Sequence, residues 1–152
     1  MRRGRSFLIF GVLLYVPGCN SQDVLAPPVG LSSAAATRSC GPADGPAVAL
    51  YLASAPISSV EPAIPYIRVN LWKPADALVG TWSVSPASAD GSAASFPALP
   101  GSIENAASGT VVVISVGGDS TITGNVDLQF PVTGHVRGNF SAHWIPRTVL
   151  CG

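Results

Sequence analysis

Residues 121–144, TITGNVDLQF-PVT-GHVRGNFSAHW, decide how this chain folds. Ile122, Val126, Leu128 and Phe130 share one parity. Val136, Phe140, Ala142 and Trp144 share a parity on the far side of residues 131–133. Alternation with a period of two marks strands that bury one face, and Pro131 and Gly134 frame a turn between them. A three-residue loop at 131–133 pairs Phe130 with Gly134. That register sets Asp127 opposite Arg137 on the outer face and Gly124 opposite Phe140 on the inner one. Opposite charges across a strand pair add a little stability, and an aromatic ring covers a facing glycine. A loop two residues longer keeps the same faces and loses both pairs, so the register is open to test.

Upstream, the same pattern recurs. Thr110–Val116 is a nearly continuous β-branched run, which predicts a central strand buried on both faces. Residues 117–120 read as the turn that joins it to the hairpin, completing a C-terminal meander. Ala47–Ala53 alternates with Val48, Leu50 and Leu52 on one face. Tyr66–Trp72 alternates with Ile67, Val69 and Leu71 on one face and Tyr66, Arg68, Asn70 and Trp72 on the other. Leu78–Val84 is a further strand. Residues 85–108, rich in Ser, Ala and Pro, are the weakly patterned part and read as edge strands or a long loop. No segment after Cys40 carries an apolar period of 3.6 over ten residues. Short strands at regular spacing with turns between them predict an all-β domain. The expectation is a mostly antiparallel β-sandwich of about seven or eight strands, with a small β-barrel as the alternative.

The N-terminus carries a different signal. Arg2, Arg3 and Arg5 precede an apolar run, Phe7–Val16, which Val16-Pro17-Gly18-Cys19 follows. The run is half the roughly 20 residues that a membrane-spanning helix needs. A basic segment, a short apolar segment and a small residue at a cleavage point form a secretory signal. With a cysteine directly after that point, residues 1–19 resemble the signal and lipobox of a bacterial lipoprotein precursor. Val16 and Gly18 match the family's preferences, and Pro17 departs from them. The resemblance implies that Cys19 becomes the diacylated first residue of the mature chain, and two or three acyl chains anchor stably where one alone is marginal. It leans toward the outer membrane where there is one, since Asn20 is not the Asp that favours inner-membrane retention.

Three cysteines, Cys19, Cys40 and Cys151, make an odd count. Lipidation of Cys19 leaves an even pair, and an oxidising compartment favours a Cys40–Cys151 disulfide. Two free buried thiols are the bland alternative. The domain plan is a signal at 1–18, a lipidated cysteine and flexible tether at 19–39, and a single β domain at 40–152. The run Leu31–Thr37 leaves a short helix open.

Composition excludes some classes. The chain has 8 basic and 8 acidic residues, and three of the arginines lie in the signal, so the mature chain is acidic. Nucleic-acid binders are usually basic with clustered Lys and Arg, so nucleic acid is not an expected partner. Apolar residues at 47% are too many for a disordered chain. His135 and His143 share a strand face but lie roughly 26 Å apart along it, so no metal is expected. Ser141 and His143 lack an orienting carboxylate and a nucleophile elbow. No cofactor motif is visible, and no enzyme activity is expected. Gly80-Thr81-Trp82 is similar to the Gly-x-Trp signature of lipocalins, although strands precede it here. That likeness implies a ligand pocket, set against Trp82 as a core aromatic. Two strand faces are candidate binding surfaces: Tyr66, Arg68, Asn70 and Trp72, and His135, Arg137, Asn139 and His143. Aromatic and Arg side chains are enriched at hot spots. The leading expectation is an envelope lipoprotein with a structural or protein-interaction role, its partners being the membrane and another envelope protein. The alternative is a small-ligand binder with a lipocalin-like pocket, and an enzyme ranks third.

Overall fold

The computed structural model describes residues 31–86, 92–117 and 121–151. The expected signal, the lipobox with Cys19 and the first part of the expected tether lie outside the described residues. Nine strands follow in order: β1 Ser33–Cys40, β2 Pro46–Ala53, β3 Ile67–Leu71, β4 Gly80–Val84, β5 Ser92–Leu99, β6 Ser102–Asn105, β7 Ser108–Val116, β8 Thr121–Phe130 and β9 Gly134–Trp144. The only helical turns among the described residues are two three-residue 3-10 segments, Pro42–Asp44 and Ala75–Ala77.

The hairpin folds in the short-loop register. Phe130 pairs with Gly134, Asp127 with Arg137 and Gly124 with Phe140. A Cβ at Gly124 would stand 2.7 Å from Phe140 Cζ, so the ring occupies the space that the glycine leaves. β7 pairs antiparallel with β8, which completes the meander.

The expected sandwich is corrected to the alternative, a closed barrel. The ring runs β1-β2-β3-β5-β4-β7-β8-β9 and returns to β1. Two long-range pairings close it. β9 lies parallel to β1, with Ala35 opposite His143. β5 lies antiparallel to β3, with Arg68 opposite Ser95. The β4–β5 seam is narrow, a single parallel pair of Val84 with Ser92. β6 hangs from the far half of β5. Alternation fits a sandwich and a barrel equally well, because either architecture buries one face of each strand. Closure depends on which distant strands meet, and full closure removes the exposed sheet edges that a sandwich keeps. The closing strand β5 comes from the weakly patterned segment, where Ser92, Ala94 and Phe96 are buried at alternate positions.

One apolar cluster fills the barrel. Phe130, Leu50, Leu52, Ile67 and Leu71 are among its largest fully buried side chains. Phe96 and Phe130 lie with ring centroids 6.1 Å apart. Small inward residues such as Ala36, Ala94 and Ala142 leave room for these rings. Trp82 on β4 packs against this core, half-buried, and its Nε1 donates to the Leu78 carbonyl at 2.8 Å.

Three further expectations need correction. The tether does not extend to Ser39, nor is 31–37 helical, because Ser33–Cys40 is β1. All eight of its residues pair with β2. Ala is a poor strand former, but three consecutive alanines fit a strand enclosed on both faces, and tertiary burial overrides the propensity. Conversely, β7 is not buried on both faces. Val111 and Val113 point inward, while Ile114 is 62% exposed beside a register shift between Val113 and Ser115. Beyond these corrections, β2 buries both faces. Ala47, Ala49, Tyr51 and Ala53 alternate with its inward residues and are also buried.

Candidate functional site

The outer face of β1–β2 is covered by a second, smaller core. Ala35, Ala49, Tyr51, Ala53 and Ile57 form it, with Tyr66 and Ile145 packed against them. Ile57 arrives on the long β2–β3 connection, held where its amide donates to Ser33 Oγ at 3.1 Å. Ile145 begins the C-terminal segment. Its amide donates to the Ala36 carbonyl at 2.7 Å, and buried Thr37 donates from Oγ1 to the Ile145 carbonyl at 3.0 Å. At its other end the Cys40–Cys151 disulfide, with Cα atoms 5.6 Å apart, ties the segment to the end of β1. Residues 145–151 thus form a strap across the outside of the barrel.

Between the strap and β2–β3 lies an open cleft of about 700 Å³. Tyr51, Tyr66, Arg68 and Arg147 line it, with Glu61 and Ile64 from the β2–β3 connection. Tyr51 and Tyr66 stack edge to face at 5.6 Å. Arg68 sits opposite Tyr51 across the β2–β3 ladder, with its guanidinium 5.9 Å from the Tyr51 ring centroid. That arrangement is a cation–π contact. The Arg68 Nε donates to Asn70 Oδ1 at 3.1 Å, which fixes the direction of the fork. Burial pushes the Tyr51 phenol above its usual pKa, against the pull of nearby Arg68 and Arg147. At neutral pH the phenol therefore keeps its proton and is a donor.

The first sequence-predicted face is divided by this geometry. Tyr66 and Arg68 join the cleft, and Asn70 orients Arg68. Trp72 faces a different hollow with Pro42, Pro46 and Lys73, and its side chain packs against Gly41. A Cβ at Gly41 would come within 3.2 Å of Trp72 Cδ1. Trp72 thus packs over the β1–β2 connection, apart from the arginine.

The second face lies along β9. Asp127 Oδ1 stands 2.5 Å from His135 Nε2, and its Oδ2 accepts from Arg137 Nε at 2.9 Å and Nη2 at 2.5 Å. Hydrogen bonds from His135 and then Arg137 hold the Asp127 carboxyl below the usual carboxylate range. The three groups largely satisfy one another. Asn139 lies opposite Asn125, beside Arg137 on a shallow groove. His143 lies opposite Thr121, at the far end of β9 from His135. No group of three His, Cys, Asp or Glu suited to a metal ion occurs among the described residues.

Glu104 on β6 makes the other charged anchor. Its carboxylate accepts from the Thr133 amide at 3.1 Å, from Thr133 Oγ1 at 2.5 Å and from the Val132 amide. Slight burial acts to raise its pKa, and these hydrogen bonds outweigh that and lower it. The contact pins the β8–β9 turn to β6.

Sequence reasoning missed Tyr51, Glu61 and Arg147. Tyr51 was detectable as the one large residue on the outward parity of Ala47–Ala53. Glu61 and Arg147 lie in irregular segments and carried no signal of their own. Comparison with protein families, curated proteins and solved structures finds no match to this chain.

Proposed function

We propose that this chain is an exported lipoprotein, anchored through Cys19, whose barrel acts as a binding module through its outer surface. The observation that carries the reading is the cysteine pairing. Cys40 and Cys151 are joined, so Cys19 is the one cysteine left over, and it stands where the lipobox places the acylated residue. A disulfide of this kind suits an oxidising compartment. With a packed apolar interior and Trp82 against it, binding falls to the outside of the wall, favouring the interaction role over a lipocalin-like interior pocket. The partners in this reading are the membrane, through the lipid, and another envelope component.

The test is the intact mass of the protein recovered from the envelope fraction of a bacterial host, beside a Cys19→Ser variant. The expected result is a chain beginning at Cys19 with acyl mass added, and release of the variant into the soluble fraction. An unmodified Cys19 in the membrane-bound protein, or a variant that fractionates like wild type, overturns the anchor.

A further inference from the structure

We propose that the cleft between the C-terminal strap and β2–β3 binds a small organic anion, with Arg68 and Arg147 meeting its charge and Tyr51 donating to it. The proposal gives a ligand class to the outer surface invoked above and rests on that reading.

Four observations converge on it. First, the cleft holds two guanidinium groups and one carboxylate, Glu61, so it carries a net positive charge. Among the described residues neither arginine is in an ion pair; the two ion pairs formed both belong to Asp127. Exposed arginines usually find a carboxylate or point freely into water. Here one lies over a tyrosine and is braced by Asn70, so its terminal nitrogens are held in place without an acceptor among the described residues. Second, Tyr51 is 4% exposed, yet its hydroxyl has no hydrogen-bond partner among the described residues. No side-chain oxygen there is both sealed from solvent and unpartnered, so the Tyr51 hydroxyl opens into the cleft that it lines. A ring this deeply packed, with its only polar atom at a cleft wall, is a prepaid donor: the rotamer freedom is already lost on folding.

Third, the remaining walls suit the body of an organic anion. Tyr66 presents ring surface, and Ile64 and Val149 add apolar surface. These apolar contacts lie within a lining that is more polar than apolar overall, which suits a small charged ligand. Fourth, the two arginines come from elements that share no local sequence. Arg68 is on β3, and Arg147 is on the strap, held near it by the disulfide and the two hydrogen bonds at Ile145. The strap therefore assembles the site. Paired guanidinium donors recognise carboxylate and phosphate alike, so the shared chemistry is an anionic oxygen group on an apolar or ring-bearing body.

The experiment follows backbone amide shifts of the full protein in detergent, titrated with phenylacetate, phenyl phosphate and uncharged benzyl alcohol. Saturable shifts at cleft amides with either anion, and at least tenfold weaker effects from benzyl alcohol, support the site. The anion that binds more tightly identifies carboxylate or phosphate as the source. Arg147→Gln and Arg68→Gln should each weaken binding by about tenfold, as expected for loss of a charge-assisted contact. His135→Gln, on β9 and outside the cleft lining, should not. Arg147 is exposed on the strap, so its variant should keep the wild-type unfolding midpoint. Equal binding of benzyl alcohol, no saturable shift at the cleft, or unchanged affinity in Arg147→Gln overturns the proposal. Saturable shifts at Phe96 and Phe130 would instead place binding in the interior and overturn the outer-surface reading with it.

Discussion

The two halves of the barrel wall are built differently. The β7–β8–β9 wall is a meander of neighbours in sequence, with one face in the core and the other largely in water. The β1–β2–β3 wall buries β1 and β2 on both faces, under the β2–β3 connection and the strap. The first wall is held by local hairpins and cross-strand pairs. The second depends on chain segments more than 100 residues apart, joined by the Cys40–Cys151 bond and by Thr37. The lesson is that the doubly covered wall forms a cleft with arginines unpaired among the described residues, whereas the meander carries a shallow groove whose charges pair with one another. On the meander, Asp127, His135 and Arg137 neutralise one another. Under the strap, Arg68 and Arg147 are left facing an opening.

Cutting the strap should have the largest effect. Reducing the disulfide, or replacing Cys40 and Cys151 together with Ser, should cost roughly 2–5 kcal/mol in denaturant unfolding, because the closed loop constrains the unfolded chain. It should also raise amide exchange along 145–151 and in β1 before it does so in β8 and β9. A uniform rise over both walls would erase the contrast. An intermediate effect separates the outward faces. Ala49 points outward yet is wholly buried, so Ala49→Leu should overpack the second core and cost about 1–3 kcal/mol. Asn139→Leu, on the exposed face of β9, should change stability by no more than about 0.5 kcal/mol. Equal costs in thermal unfolding would mean that the two faces are alike.

The smallest effect belongs to the charge pairs. Asp127 is partly exposed and its partners are more so, so Asp127→Asn should cost about 0–1 kcal/mol, less in high salt. The sign with pH follows from the lowered carboxyl. The stabilisation is fully present above the unfolded-state value and is lost as pH falls through the folded one. Wild type and Asp127→Asn should therefore converge in strongly acidic solution. A difference that persists there would assign the effect to shape rather than charge.

Much of the meander was legible. The parity of Ile122 through Phe130, the paired Asp127 and Arg137, and the Gly124–Phe140 match all concern residues within one hairpin, where turn length and pattern specify the register. The strands at 47–53 and 66–72 were legible for the same reason, as was their inward face. The candidate site was legible in part: Tyr66 and Arg68 stood out by face, but Trp72 leaves that cleft, and Arg147 joins it only through the strap. β1 was hidden because alanine repeats signal neither strand nor core. β7 misled because a β-branched run records strand propensity, whereas burial depends on what packs against it, and Ile114 stays largely exposed.

By itself, the sequence determined that the chain is all-β and which residues point inward along its clear strands, and it narrowed the register of the last hairpin to two, of which the structure has the shorter-loop one. These follow from side-chain alternation and short turns, which are local properties. Only the tertiary structure decided that the sheet closes through β3–β5 and β1–β9, that β1 and β2 are covered on their outer side, and that two distant arginines share a cleft with Tyr51. Those outcomes depend on contacts between segments far apart in the chain. Their energy comes from burying alanine and tyrosine surfaces whose partners no local pattern names.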